Sequence, residues 1–169
     1  MFEVTWLLFI VASLVLIVTP GQDMILVMSR SIARGSAAGV ATAAGVSVGL
    51  VGHTVLATLG LGAILRASEW LFVALKLAGA AYLVYLGIQL VRSGKHELAV
   101  SADAPRSLWR LFLDGALSNI SNPKIAIFFL AFLPQFVSAD EPHPLSLMFM
   151  LSSVFMLLTF IVFVGYGLF

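Results

Sequence analysis

Cysteine is absent from the 169 residues. That excludes a disulfide scaffold, a thiolate metal site and a cysteine nucleophile. Charge is nearly as scarce: 10% of the chain is Asp, Glu, Lys or Arg, against about 25% in a soluble domain. Nine basic and eight acidic side chains are too few to cover a soluble surface of this size. The net charge of +1 leaves no basic stripe for a nucleic-acid partner. Histidine is sparse as well, and His53, His96 and His143 lie on separate segments, so neither metal nor cofactor is expected. No glycine-rich phosphate loop occurs. What fills the chain is apolar: 61% of residues are hydrophobic and the mean hydropathy is +1.09. That composition is the opposite of a disordered chain and defines an integral membrane protein.

Five segments are nearly free of charge. Val4–Gln22 is uncharged and continues past Asp23 to Met28; Gly35–Leu65 carries no charge. Trp70–Val91 carries Lys76, Leu108–Val137 carries Asp114 and Lys124, and Leu145–Phe169 carries none. Each is long enough for a helix crossing a hydrocarbon core of about 30 Å, which takes about 20 apolar residues. The runs are continuous, without the alternation of a membrane barrel. The expected fold is therefore all-α: one transmembrane domain over 1–169 with helices at about 4–28, 36–65, 69–91, 108–137 and 145–169. A mixed-charge linker at about 92–107 divides it. Glu3 stands where a cleavable signal would carry basic residues, so the first segment is expected to stay as a helix.

The distribution of Lys and Arg sets the orientation. The first connection holds Arg30 and Arg34; the third holds Arg92, Lys95 and Arg106, with Arg110 close by. The second has Arg66, while the fourth has Asp140 and Glu141 and no basic residue. The N-terminus is expected outside, the linker in the cytoplasm and Phe169 near the cytoplasmic face.

Polar and helix-breaking residues within a span are costly and therefore informative. Thr19-Pro20-Gly21-Gln22-Asp23 interrupts the first helix: proline removes a backbone donor and glycine loosens the turn. Unwound backbone at this depth is tolerated where it is buried or lines a cavity. The bland alternative pairs Asp23 with Arg30 or has it cap the continuing helix. A second interruption, Asn119-Ile120-Ser121-Asn122-Pro123-Lys124, falls in the fourth segment. Lys124 lies about 24 Å of helix from Leu108, too deep to snorkel easily. The breaks occupy the first helix of each half, and those helices run antiparallel. Interrupted segments at corresponding positions point to an inverted repeat with a binding site near the midplane.

Other polar residues weigh less. Asp114 suits a hydrated mouth as well as a proton site, and His53 suits a hydrogen-bonded structural role; both are weaker site candidates. Lys76 is expected to snorkel, and Tyr82 and Tyr85 to pack. Small residues recur at Gly35, Gly39 and Ala43 and at Gly45 and Gly49, a spacing that lets helices approach closely within the subunit or across a homodimer.

These motifs resemble the lysine exporter superfamily in its homoserine/threonine exporter (LysE/RhtB) branch. TPGQDM resembles the family's Thr-Pro-Gly-Pro motif, with Gln22 where the second proline usually stands. RGSAAGVATAAGVSVGLVGHT resembles its second helix, LKLAGAAYLVYLGIQLVRSG its third and GALSNISNPKIAIFFLAFLPQFV its fourth. The likeness covers almost the whole chain. It implies a bacterial inner-membrane exporter of an amino acid or close derivative, driven by the proton gradient. It also implies that Thr19, Pro20, Gly21, Asp23, Asn122, Pro123 and Lys124 line the transport site. Members usually carry a sixth hydrophobic helix, so a three-plus-three repeat is expected here without its last helix.

The expected mechanism is alternating access, with half-helix ends facing the substrate. Lys124 would take the substrate carboxylate or neutralise Asp23. Asp23 would take the ammonium or a coupling proton. The expected partners are thus an amino acid, a proton and the lipid bilayer. Rivals are a nontransporting or truncated membrane subunit and, behind it, an intramembrane enzyme using Ser118 or Ser121 with Lys124.

Overall fold

The computed structural model describes residues 2–92, 107–138 and 140–168. Among them every regular element is helical: α1 (Phe2–Val18), α2 (Gln22–Arg34), α3 (Ser36–Ala67), α4 (Glu69–Arg92), α5 (Leu108–Ile120), α6 (Pro123–Phe132), a 3-10 turn (Leu133–Phe136) and α7 (Pro144–Leu168). Most of the expected cytoplasmic linker, with Lys95, His96 and Arg106, lies outside the described residues.

α3, over Ser36–Ile64, and α7, over Pro144–Leu168, are each long and apolar enough to cross a membrane. Two further spans arise if each bent pair counts as one: α1 with α2, and α5 with α6. Both pairs bend by 56° at their breaks. At the first, Thr19, Pro20 and Gly21 are non-helical and Gly21 is extended (φ −162°, ψ 178°). At the second, Asn122 caps α6, accepting from Lys124 N at 3.1 Å, and Pro123 occupies the first helical position. Proline suits that position because its missing N–H would have no helical partner there.

One expectation is corrected here. Arg30 and Arg34 lie within α2, which runs unbroken to Arg34, and the connection to α3 is Gly35 alone. Gly35 turns the chain at φ +84°, a conformation open to glycine and strained for other residues. Nothing between Gly21 and Gly35 stops a helix, so the basic residues extend α2 where a loop was expected. Arg66 likewise lies in the last turn of α3, and Ser68 alone joins α3 to α4.

α3 is the central element, with α2, α4, α5, α6 and α7 packed on it. Its glycines permit this. A Cβ on Gly45 would overlap the Phe112 carbonyl of α5, and one on Gly115 of α5 would overlap the Thr42 carbonyl of α3. A Cβ on Gly39 would lie 2.8 Å from Gly167 Cα of α7. The small-residue faces of α3 are thus used inside the subunit, against α5 and α7.

The interior is aromatic. Phe128 stacks on Phe132 with centroids 4.5 Å apart, Phe9 on Phe132 at 5.5 Å, and Phe155 meets Phe128 and Phe129 at 5.3 and 5.4 Å. The outside is apolar as well: Leu7, Leu8, Leu56, Leu59, Leu77, Phe149 and Ile161 are all exposed. Exposed apolar area on that scale is what a hydrocarbon solvent accepts and water does not. Trp70 and Trp109, exposed near the starts of α4 and α5, sit where interfacial aromatics collect.

Candidate functional site

The two breaks lie beside each other, and Asp23 is the residue that joins them. It stands in the first turn of α2 and is 5% exposed. Its Oδ2 accepts from Asn119 Nδ2 at 2.8 Å and Asn122 Nδ2 at 3.1 Å, and its Oδ1 accepts from Ser118 Oγ at 3.1 Å. Gln22 Nε2 donates to Ser118 Oγ at 3.0 Å. A carboxylate offers about four acceptor positions, so three donors leave room for one more. The positive end of the α2 dipole favours a negative group at this place.

Lys124 enters from α6 and is half-buried. A Cβ on Gly21 would lie 3.2 Å from its Nζ, so the bare backbone of the first break forms the ammonium's seat. Lys124 and Asp23 line one cavity together with Thr19, Gly21, Gln22, Asn119 and Asn122; Leu50, Phe155 and Phe163 supply apolar walls. No ion pair between Lys124 and Asp23 falls within 4.0 Å among the described residues. The ammonium and the first-turn amides of α2 therefore face the same space, an arrangement suited to an anion such as a carboxylate.

The cavity measures about 30 Å³, room for about two waters. A second, apolar crevice of about 230 Å³ lies between α1, α4 and α6 and is lined by Ala12, Val15, Leu83, Gly87, Phe128 and Phe132. Leu16 and Thr19, at the end of α1, border both spaces. Thr19 closes α1 by donating its hydroxyl to the Val15 carbonyl at 2.6 Å.

Of the residues singled out in the sequence, Thr19, Gly21, Asp23, Asn122 and Lys124 meet at this cavity. Pro20 and Pro123 shape its backbone and do not line it. Asp114 lies elsewhere: its Oδ2 is 3.9 Å from Arg30 Nη2, between α2 and α5. Arg30 thus pairs with Asp114, whereas the bland reading gave it to Asp23. Nor does the Asp23 carboxylate cap α2; its partners come from α5 and the second break. Lys76 Nζ donates to Val137 O at 3.3 Å and lies over the Phe72 ring.

His53 is 3% exposed, and its Nε2 donates to Asn119 O at 2.9 Å. That carbonyl is available because the residue four further on is Pro123, which has no N–H. Ser118 and Asn119, which hold Asp23, and Gln22, which holds Ser118, were not among the expected site residues. The available signal was Asn119 and Asn122, one helical turn apart in an apolar segment. Ser118 turns its hydroxyl to Asp23, and no Ser–Lys hydrogen bond occurs among the described residues, so the enzyme alternative gains nothing here.

A helical chain with an apolar exterior and helices long enough to cross a bilayer is a multi-pass membrane protein. The particular family follows from comparison: the description of the LysE type translocator matches residues 14–169, and the chain belongs to that family. It is 39% identical over 139 residues to the homoserine/homoserine lactone efflux protein of Salmonella typhimurium, covering 82% of this chain and 67% of that protein. The threonine efflux protein of Escherichia coli K12 is 32% identical over 128 residues, covering 73% of this chain and 62% of that protein. An uncharacterized membrane protein of Vibrio cholerae is 32% identical over 138 residues, covering 82% of this chain and 67% of that protein. No solved structure matches the chain.

Proposed function

We propose that the protein exports an amino acid or close derivative across the bacterial inner membrane by proton-driven alternating access, with the cluster around Asp23 as its transport site. The observation that carries this reading is a buried carboxylate and a half-buried lysine on either side of one cavity, at the junction of two broken helices. A zwitterion matches that pair. Its carboxylate fits between Lys124 and the first-turn amides of α2, beside Gly21. Its ammonium fits the acceptor position that Asp23 has left. Thr19 and Asn122 border the same space, and Pro20 and Pro123 hold the backbone open there. Efflux proteins among the relatives support the substrate class, and the chain's own geometry is consistent with it.

The cavity is too small for an amino acid as it stands, so binding one requires it to widen. Leu16 and Thr19 separate it from the larger apolar crevice, and a shift of the α1 end would merge the two spaces. Matching 56° bends in α1–α2 and α5–α6 support two halves of opposite direction and rocking of one half against the other; α4 (Glu69–Arg92), 24 residues long, would be the fifth span beside the two bent pairs, α3 and α7. Basic residues at the ends of α2 and α4 still favour an external N-terminus and a cytoplasmic end for α7. The 1–169 segment acts as one transmembrane domain.

The test is efflux from cells loaded with dipeptides. The amino acid exported by the unaltered protein should stay inside cells making Asp23→Asn at the same membrane level. Equal efflux from both would remove Asp23 from the transport site.

A further inference from the structure

We infer that His53 is the proton-binding group that couples transport to the pH gradient; this rests on the exporter reading above. Asp23 is an awkward carrier for that proton. Both its oxygens already accept, from a hydroxyl and two amide groups, and its remaining acceptor position is the substrate's. His53 is differently placed. Its Nε2–H is committed to the Asn119 carbonyl, which fixes the tautomer and leaves Nδ1 as a bare lone pair. That nitrogen is buried and has no hydrogen-bond partner among the described residues.

Asn119 links the two groups. Its side chain holds Asp23 at 2.8 Å while its backbone carbonyl holds His53 at 2.9 Å. The carbonyl belongs to the break itself, where Asn122 N also reaches it at 2.9 Å. When Nδ1 takes a proton from water on the acidic side, the ring becomes an imidazolium and its bond to the carbonyl becomes charge-assisted. A stronger hold on the end of α5 favours one arrangement of the α5–α6 break. Return of that proton to water on the other side releases it. The proton thus has the differential interaction with two states that coupling requires.

The path to Nδ1 begins at the cavity. Leu50, one turn before His53 on α3, and Asn119 both line it. The charged groups that face His53 are few. Asp23 acts through Asn119, and Lys124 lies in the adjoining cavity. α6 also presents the Phe129 ring, with centroids 5.8 Å apart. On α5 the nearest charge is Asp114, which is beside Arg30 of α2. Lys76 of α4 is turned to Val137, and α7 carries no charged residue.

The experiment uses purified full-length chain in liposomes, labelled homoserine or threonine as probe, and His53→Gln. Glutamine keeps an N–H for the Asn119 carbonyl and cannot be protonated. Two readouts are taken: exchange of the labelled amino acid for the same unlabelled one, and accumulation driven by an acidic interior. The variant is expected to exchange like the unaltered protein and to lose accumulation, falling to the level seen without a gradient. Accumulation at the unaltered level would overturn the inference. So would loss of exchange and accumulation together, since that marks a structural role. Failure of the unaltered protein in both readouts would instead sink the exporter reading, and Asp23→Asn, inactive in both, distinguishes the two proposals.

Discussion

At the scale of single residues the account turns on donors and acceptors. Asp23 gathers three donors from α5 and the second break, far away in sequence, and removing it does two separable things. Asp23→Asn keeps the shape and removes the charge, so the protein should reach the membrane folded and fail to export. Asp23→Ala additionally strands the amides of Asn119 and Asn122, at a cost of about 1–3 kcal/mol for each buried group left unpaired. The alanine variant should therefore unfold at a lower temperature in detergent than the asparagine variant; equal midpoints would mean that the three hydrogen bonds contribute nothing. Gly49 is a second residue-level case. A Cβ there would lie 2.8 Å from Asn119 Cβ and 3.0 Å from its Oδ1. Gly49→Ala should push the Asn119 side chain off Asp23 and weaken export while leaving the charged residues in place, as an efflux rate at matched membrane level would show.

At the scale of elements, the breaks explain why the helices stop where they do. Pro123 has no N–H for Asn119 O, and His53 takes that carbonyl instead. Pro123→Ala restores the donor, and residue 123 should then compete with His53 and straighten the α5–α6 pair. The expected result is a protein that exports poorly and withstands heat better; unchanged export would mean that the bend is incidental. Helix contacts obey the same local logic. Gly45→Ala places a methyl against the Phe112 carbonyl, and overpacking of this kind costs about 1–3 kcal/mol, readable as a lowered unfolding midpoint. These features differ in how far the sequence discloses them. Proline and glycine act on their own backbone, so both breaks are legible at Pro20-Gly21 and Asn122-Pro123. The course of α2 is legible too, since no breaker precedes Gly35, although the charge of Arg30 and Arg34 by itself suggests a loop. The partners of Asp23 were not legible, because they exist only once α5 lies against α2. The spacing of Gly45 and Gly49 likewise announces close packing and does not name α5 as the partner.

At the scale of the whole molecule, α2 and α5 meet at two levels. Asp23 faces Ser118 and Asn119, and Arg30 faces Asp114 about 10 Å further along α2. In the proposed alternating access these half-helices separate. Because the sequence contains no cysteine, Arg30→Cys with Asp114→Cys can be joined by a short thiol cross-linker without side reactions at other thiols. Cross-linking should stop export, and cleaving the linker should restore it; export through the cross-linked protein would show that α2 and α5 need not part. The same freedom from thiols permits the most direct measurement of the central claim, that the amino acid sits where the two broken helices meet. Thr19→Cys places one thiol at the wall shared by the polar cavity and the apolar crevice. Its rate of labelling by a small water-soluble maleimide would be measured with and without each amino acid. The account predicts that the amino acid exported by cells slows labelling, that amino acids not exported leave it unchanged, and that adding Asp23→Asn abolishes the protection. Labelling indifferent to the exported amino acid, in a variant that still exports it, would contradict the account and place the transport site elsewhere.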